Sequence, residues 1–313
     1  MSTAYVQAVA NIRALEAKLL NSQMLEQLAN TANFNDALTE AKHRIYGVSA
    51  DRIQTLQEAL DMISQEEKYL FGYTAQLVFD HELSALMSWH SRLTRIKGII
   101  KNTLHTREQA PAEIKAWPEC IKQAWAQAQK EYTDNTDLKI VDFIVDAHYV
   151  QALQGVLLQL NSSWLNKVCL LAADFYNIKT WLRFKINTII LKDATALFLS
   201  GGEIERSLFL RSGDMAVDDF IQLLKYKPYA PELTVAWNQA KQNGDWQLLD
   251  LFFTNYLIRS LRATKLIYDG PEPVLAYLLV RLAELNNIKI ILSGKFYNIP
   301  KELITGRLSK TYV

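Results

Sequence analysis

The sequence predicts an all-α protein, and three observations support this prediction. The chain of 313 residues has only 11 Gly and 7 Pro, about half the usual share, which is too little punctuation for a fold with many turns. Half of the residues are hydrophobic, so the chain can bury a large core. Apolar residues recur at intervals of three and four, and the one short run that could form a strand, Ile288–Leu292, lies inside a helical pattern.

The N-terminal half reads as a series of helices with recognisable ends. Asn33, with an acid three residues on, is a plausible helix cap, and Ser49 is expected to cap the next helix. Residues 66–107 contain no proline and few other breakers, and we expect one interruption near Asp80 and His81. Apolar stripes support these helices: Ile53, Leu56, Leu60 and Ile63, then Ile121, Trp125, Ala128 and Tyr132.

The C-terminal half continues in the same style. Helical runs are predicted over about 138–160 and 164–198, separated by a short polar turn. Another long helix is predicted to run from the Asn243-Gly-Asp turn to Tyr268, before the strongest loop signal in the chain at 269–273. A helix beginning at Val274 and a short last helix after Pro300 complete the prediction.

Composition narrows the function classes. Lys and Arg number 34 against 33 Asp and Glu, a balance that argues against a dedicated nucleic-acid binder. Cys120 and Cys169 form no metal-binding or redox motif and indicate a reduced compartment. No signal peptide is expected, and no apolar run approaches the roughly 20 residues that a membrane-spanning helix needs.

The most informative feature is an internal repeat. Residues 173–185 and 283–295, which are 110 positions apart, share the pattern A-[DE]-x-x-N-I-K-x-x-L-x-x-K, with six identical positions and one shared acid. A weaker third copy is suspected at 79–86, without the Asn and the Lys. Two interpretations stay open. The repeat either encodes one helix-packing solution used twice or builds an interaction surface from equivalent helix starts.

Motifs for catalysis are sparse. The sequence has no phosphate-binding loop, no dinucleotide fingerprint and no HExxH, so no metal or cofactor is expected. Asp218 and Asp219 resemble the start of a DDxxD motif, which would make the chain an all-α, Mg²⁺-dependent diphosphate enzyme, but Gln222 replaces the third acid. An acidic first turn of a helix is the simpler interpretation. The basic segment 92–107 is either a solvated helix face or a phosphate-binding face. A scaffold of short helical repeats would need a repeat period shorter than 110 residues.

Three segments resemble the C subunit in the central stalk of V-type and A-type ATPases, which is called the d subunit in eukaryotes. Residues 174–185 are similar to that family's D-x-x-N-[LI]-K-x-x-[LI]-R-x-K segment, and 272–295 to its EP-x-x-A-Y ending. Arg13-Ala-Leu-Glu16 is similar to the family's opening. The segment 79–82 departs from the pattern, because the expected Asn-Ile-Lys is missing.

The resemblance implies a funnel of three similar helical units about a pseudo-threefold axis, here 1–108, 109–211 and 212–313. It implies a non-catalytic rotor subunit that joins the rotor shaft (the D-type and F-type subunits) to the membrane ring of proteolipid subunits, with transient contact to the membrane stator. It places the chain peripherally on the cytoplasmic face and couples ATP hydrolysis or synthesis to H⁺ or Na⁺ transport. Candidate partner contacts at the helix starts are Asn177, Lys179, Lys185, Asn287, Lys289 and Lys295.

Overall fold

The computed structural model describes residues 3–45, 53–107, 110–132, 138–187 and 197–313. Within these ranges the chain consists of helices and connecting loops, with no strand, so the predicted all-α class is confirmed. No helix in the described ranges combines the length and the apolar composition that crossing a bilayer requires. The chain divides into two compact units, residues 1–88 with 227–313 (unit 1) and residues 89–226 (unit 2). The division into three units at 108 and 211, and the pseudo-threefold axis, stay predictions.

Unit 1 combines both ends of the chain. Its longest helix, α14, has 25 residues, of which 15 are buried, and it packs against α4, α3, α1 and α13. A helix buried on nearly all sides is the core of its unit. The helices of unit 1 are α1 (Thr3–Glu16), α2 (Ser22–Ala29), α3 (Phe34–Lys42), α4 (Leu56–Gln76), α5 (His81–Trp89), α12 (Ala230–Asn243), α13 (Gln247–Leu261), α14 (Glu272–Phe296) and α15 (Lys301–Thr305).

Unit 2 is built around the pair α7 and α8, with α6 and α9 packed against α8. Its apolar core contains the stripes of α6, α7 and α8, with Trp117 and Trp125 among the largest side chains. The helices of unit 2 are α6 (Leu93–Thr106), α7 (Glu119–Glu131), α8 (Ile140–Gln159), α9 (Ser163–Asn187), α10 (Arg206–Arg211) and α11 (Val217–Leu223).

Several predicted helix ends are confirmed. Asn33 caps α3 by accepting a hydrogen bond from the amide of Asp36, and the interruption near His81 separates α4 from α5. The expected cap Ser49 lies outside the described residues. The helix that follows begins at Leu56, where Thr55 and Glu58 form a capping box.

One predicted helix is wrong over its last part. The helix expected to run from residues 243–245 to Tyr268 ends at Leu261 and gives way to a 3₁₀ turn, Arg262–Leu266. The guanidinium of Arg13 donates to the carbonyl oxygens of Thr264, in this turn, and of Ile267, just after it. The turn is therefore held by a side chain from the other end of the sequence.

The two units share a second sequence repeat, which the 110-residue pattern did not reveal. Residues 124–128 of α7 read AWAQA, and residues 236–240 of α12 read AWNQA. In both helices the Trp and the two Ala are buried, so the repeat encodes a packing face. Each of these helices is followed by one more long helix and then by a 25-residue helix, α9 in unit 2 and α14 in unit 1.

Candidate functional site

The repeat found in the sequence forms two equivalent clusters of polar side chains, one on α9 and one on α14, in which the acid and the asparagine are buried and the lysine is half-buried. We call them anchor site A, formed by Asp174, Asn177 and Lys185, and anchor site B, formed by Glu284, Asn287 and Lys295. In each site the side chains lie on one long helix, with the first and the last about 16 Å apart along its axis, at 1.5 Å per residue. All of them bind backbone groups of other segments.

The asparagines bind in the same way in both sites. The side chain of Asn177 accepts from the amide of Leu199 at 2.7 Å and donates to the carbonyl oxygen of the same residue at 3.0 Å. Asn287 makes the same two bonds to Ser309, at 2.8 and 3.0 Å, and also accepts from the Ser309 hydroxyl at 3.1 Å. Each partner lies 22 residues after its asparagine, so the bonds match the 110-residue offset of the repeat.

The acids bind the start of a short helix. Asp174 accepts from the amide of Ile204 at 2.8 Å, and Glu284 accepts from the amide of Leu20 at 2.9 Å. Ile204 directly precedes the N-cap of α10, and Leu20 directly precedes the N-cap of α2. Both carboxylates therefore fix the backbone at the point where a short helix begins.

The lysines bind the connection between two short helices. Lys185 donates to the carbonyl oxygen of Gly213, between α10 and α11, at 2.6 Å. Lys295 donates to the carbonyl oxygen of Thr31, between α2 and α3, also at 2.6 Å. A carbonyl at the end of a helix carries partial negative charge, so a lysine is a favourable partner.

The two sites thus hold equivalent helix pairs that come from opposite directions in the sequence. Site A holds α10 and α11, which follow α9, whereas site B holds α2 and α3, which come from the other end of the chain. Aromatic contacts reinforce both pairs. Phe220 of α11 stacks on Trp181 of α9 with ring centroids 4.0 Å apart, and Phe34 of α3 packs edge-on against Phe296 of α14 at 5.4 Å. The N-terminal helices α2 and α3 therefore occupy the place against α14 that α10 and α11 occupy against α9.

Site B also contains a buried ion network that site A lacks, because Leu171 stands where α14 has Arg281. The guanidinium of Arg281 is 1% exposed, forms ion pairs with Glu284 and Glu66, and donates to the carbonyl oxygen of Arg44. Burial acts to lower the pKa of Arg281, but the two carboxylates raise it above its usual value. The network joins α14 to α4 and to the end of the N-terminal helix pair.

The structure brings four of the six predicted contact residues into these sites. Asn177 and Asn287 are 0% and 3% exposed and are bonded within the chain, so their role in this structure is to hold the fold. Lys179 is half-buried and Lys289 is exposed, and neither contributes to an anchor site. That these residues contact a partner stays a prediction.

The suspected third copy of the repeat, 79–86, makes local contacts and one contact with the N-terminal helix, where Tyr5 packs against Phe79 and accepts from its amide. Asp80 accepts from the amide of Leu83, as a cap of α5, and Ser84 donates to the carbonyl oxygen of Ala75. No anchor of the kind seen in sites A and B is formed by these side chains.

The residues that suggested catalysis are placed at the surface. Asp218 and Asp219 are exposed in the first turn of the seven-residue helix α11, as expected of an acidic helix start. Within the described ranges, no three His, Cys, Asp or Glu side chains gather closely enough to hold a metal ion. A groove of about 420 Å³ between α12 and α13 is lined mainly by apolar side chains, and its acid, Glu232, is ion-paired with Arg259.

The basic segment 92–107 is largely neutralised by its own unit. Lys97 and Lys101 of α6 form ion pairs with Asp146 and Asp142 of α8, at 2.6 and 2.7 Å. These pairs join basic side chains of α6 to acidic side chains of α8. This face of α6 therefore serves to pack the two helices together.

Comparison with known proteins gives two kinds of match. The model of the family described as "ATP synthase (C/AC39) subunit" matches residues 114–307, which is more than half of the chain. The C subunit of the A-type ATP synthase of Pyrococcus abyssi is 22% identical, over 92% of this chain and 86% of the relative. The C subunit of the A-type ATP synthase of Methanococcoides burtonii is 28% identical over 57% of this chain, and the match spans about half of that relative.

Proposed function

Because the chain belongs to the ATP synthase (C/AC39) subunit family, we propose that it is the part of the central stalk that links the soluble rotor shaft to the membrane rotor ring. In this role it couples ATP hydrolysis or synthesis to the transport of H⁺ or Na⁺. Both relatives are named as parts of an A-type ATP synthase, and the prediction that this chain is not an enzyme rests on the same family assignment.

The paired anchor sites are the observation that supports a mechanical role. A subunit that transmits torque has to resist deformation, and its helices must keep their positions under load. Each anchor site ties a long helix to three separate backbone points, two of them through buried side chains and the third through a half-buried lysine. Breaking such a bond leaves a buried polar group without a hydrogen-bond partner. Small displacements of the helix pair therefore raise the free energy of the fold.

The partners follow from the proposed role. They are the D-type and F-type subunits of the shaft and the proteolipid ring, with transient contact to the membrane stator. The chain then lies peripherally on the cytoplasmic face of the membrane. Among the candidate contact residues, Lys289 is exposed and Lys179, Lys185 and Lys295 are half-buried, so the four lysines offer surface to such partners.

A removal experiment tests the proposal. The complex is purified with and without this chain, reconstituted into vesicles and assayed for ATP hydrolysis and for ion uptake in parallel. We expect hydrolysis to continue without the chain while ATP-driven ion uptake is lost, and re-addition of the purified chain to restore uptake. Full coupling in the complex that lacks the chain would reject the proposed function.

A further inference from the structure

The two anchor sites offer similar bonds to two similar helix pairs. In each site the acid and the lysine bind backbone groups of the pair, at Leu20 and Thr31 in site B and at Ile204 and Gly213 in site A. Every residue except proline carries the same backbone amide and carbonyl groups. These bonds therefore hold a helix pair in place without identifying which pair it is.

The order of the sequence puts the two sites in competition for the N-terminal pair. The helices α2 and α3 are synthesised first, α9 follows in the middle of the chain, and α14 comes near its end. Chains begin to fold from the N-terminal end while they are being synthesised. The N-terminal pair therefore meets the anchor of α9 before its own anchor on α14 exists, and the fold needs an element that assigns it to α14.

One ion pair in site B contacts both ends of its helix pair, and we call it the end clamp. The Oε2 atom of Glu284 accepts from the amide of Leu20, just before α2, at 2.9 Å. The Oε1 atom of the same carboxylate binds one nitrogen of Arg281, and the other nitrogen donates to the carbonyl oxygen of Arg44, just after α3. The end clamp, formed by Arg281 and Glu284, therefore joins the beginning of α2 to the end of α3.

The end clamp is matched to the length of this helix pair. Its two contact points, Leu20 and Arg44, are 24 positions apart. The equivalent points of the α10–α11 pair are Ile204, which precedes the N-cap of α10, and Lys225, which follows the C-cap of α11, and they are 21 positions apart. Three residues of helix span about 4.5 Å, so the shorter pair does not bring its last carbonyl oxygen to the same place.

Burial gives the end clamp its power to discriminate. Arg281 and Glu284 are 1% and 7% exposed, and Glu66 of α4 adds a second ion pair to the guanidinium at 3.1 Å. A buried charged donor that loses its acceptor is strongly destabilising, whereas apolar residues in the place of a whole buried ion pair are often neutral. The clamp is therefore better explained by the arrangements it excludes than by the stability it adds. Site A lacks this device, because Leu171, which donates no hydrogen bond, occupies the position of Arg281.

We propose that the end clamp is a specificity device, which assigns the N-terminal helix pair to α14 and keeps it from settling on α9. On α14 the pair α2–α3 satisfies both members of the clamp, whereas α10–α11 would bury the Arg281 guanidinium without its acceptor. Site A, which has no clamp, receives the pair that follows α9 in the chain. This role concerns the folding of the chain itself and does not depend on the proposed function.

Pulsed amide exchange during refolding of the full-length chain from urea tests the proposal. Arg281→Leu gives site B the residue that site A has at this position. The matched control is Glu66→Gln, which removes an ion pair from the same guanidinium and keeps both contacts of the clamp with the helix pair. After refolding, deuterium uptake is read separately in peptides of α2–α3, of α10–α11, and of α7–α8 as a reference for unit 2.

We expect α10–α11 to lose protection in Arg281→Leu, although the substitution lies on α14, because α2–α3 takes its place on α9 in a fraction of the molecules. The unprotected fraction of α10–α11 should rise at least about tenfold over the wild type, as the loss of one charge-assisted hydrogen bond implies. The protected fraction of α2–α3 should exceed that of α10–α11. In Glu66→Gln the unprotected fraction of α10–α11 should stay within about twofold of the wild type.

Two results overturn the proposal. Loss of protection confined to α2–α3 would show that site B merely opens, and an equal loss in α10–α11 for Glu66→Gln would show a general loss of stability. If Arg281→Leu leaves α7–α8 unprotected and so does not fold, Arg281→Lys takes its place, because lysine keeps the positive charge but lacks the two-nitrogen fork that reaches Glu284 and Arg44 together. The same rise is expected, and unchanged protection of α10–α11 in that variant also overturns the proposal.

Discussion

Replacing Asn287 by Ala tests whether anchor site B holds the C-terminal segment. The substitution removes the acceptor for the buried Ser309 amide and the donor for its carbonyl oxygen, which lie 2.8 and 3.0 Å from the Asn287 side chain. Asn287 is 3% exposed and Ser309 is 5% exposed, so the substitution leaves both Ser309 backbone groups away from bulk water. The segment 306–313 then keeps its other contacts but loses the bonds that fix it to α14.

The magnitude follows from two unpaired backbone groups. A buried donor or acceptor that loses its partner costs about 1–3 kcal/mol, so the two groups together cost about 2–6 kcal/mol if the segment stays in place. The gain in helix propensity from Asn to Ala, about 0.5 kcal/mol, offsets only a small part. We therefore expect the segment to open locally, with amide exchange accelerated roughly 10- to 10,000-fold for the remaining 1.5–5.5 kcal/mol, at about 1.4 kcal/mol per tenfold.

The assay is native-state amide exchange, read at the amide of Lys310. That amide is bonded to Asn255 at 2.7 Å and not to Asn287, so it reports opening of the segment instead of the deleted bond itself. The matched control is Asn286→Ala, because Asn286 is the preceding residue of α14 and is exposed. The control gains the same helix propensity and loses no buried bond, so its exchange at Lys310 should stay at the wild-type rate.

The result that refutes the reasoning is equally specific. If Asn287→Ala and Asn286→Ala give the same exchange at Lys310, and the same urea midpoint, the bonds of site B do not hold the segment. Asn177→Ala makes a parallel test of site A, because it removes the same two bonds from Leu199. A loss in one site without the other would show that the two sites are not energetically equivalent.

Three more substitutions test the packing around these sites by urea unfolding and titration. Arg281→Met leaves two buried carboxylates without their cation and should lower the free energy of unfolding by about 3–5 kcal/mol. A loss under about 1 kcal/mol would contradict this account. Gly202→Ala should destabilise unit 2, because a Cβ there would collide with the Asp174 carboxylate, so unchanged stability would show that the loop adjusts freely. Burial lowers the pKa of His148, which is bonded to Gln127. The unfolded chain therefore takes up a proton near pH 6.5 that the folded chain does not, and stability falls below that pH. Burial also lowers the pKa of His90, to about 4, so His148→Gln should reduce the slope without removing it, and an unchanged slope would disprove the role of His148.

Much of the helical architecture could be predicted because its signals are local. The cap at Asn33 and the turn at Gly244, which ends α12 in the left-handed conformation, are determined by residues within one helical turn. The 3₁₀ turn after α13 could not be predicted from local signals, because the side chain that binds the carbonyl oxygens of Thr264 and Ile267 is Arg13, some 250 residues away in the sequence.

Only part of each anchor site could be predicted from the sequence. The shared pattern identified residues of both sites, including Asn177 and Asn287. It could not show whether these side chains bind inside the protein or contact a partner at its surface. Their partners lie in loops that carry no matching pattern, at Leu199 and Ser309. The partner of Lys295 is further away still, since Thr31 precedes it by 264 residues.

The dependence of site B on the N-terminal helices has a consequence for synthesis on the ribosome. Leu20 is made 264 residues before the carboxylate of Glu284 that binds its amide. At about 5–20 residues per second, roughly 13 to 50 seconds pass before that carboxylate has been made. During this delay the apolar faces of α2 and α3 lack the helix, α14, to which they bind in the folded protein. A nascent-chain binding factor that covers these faces would keep them from associating with other apolar surfaces.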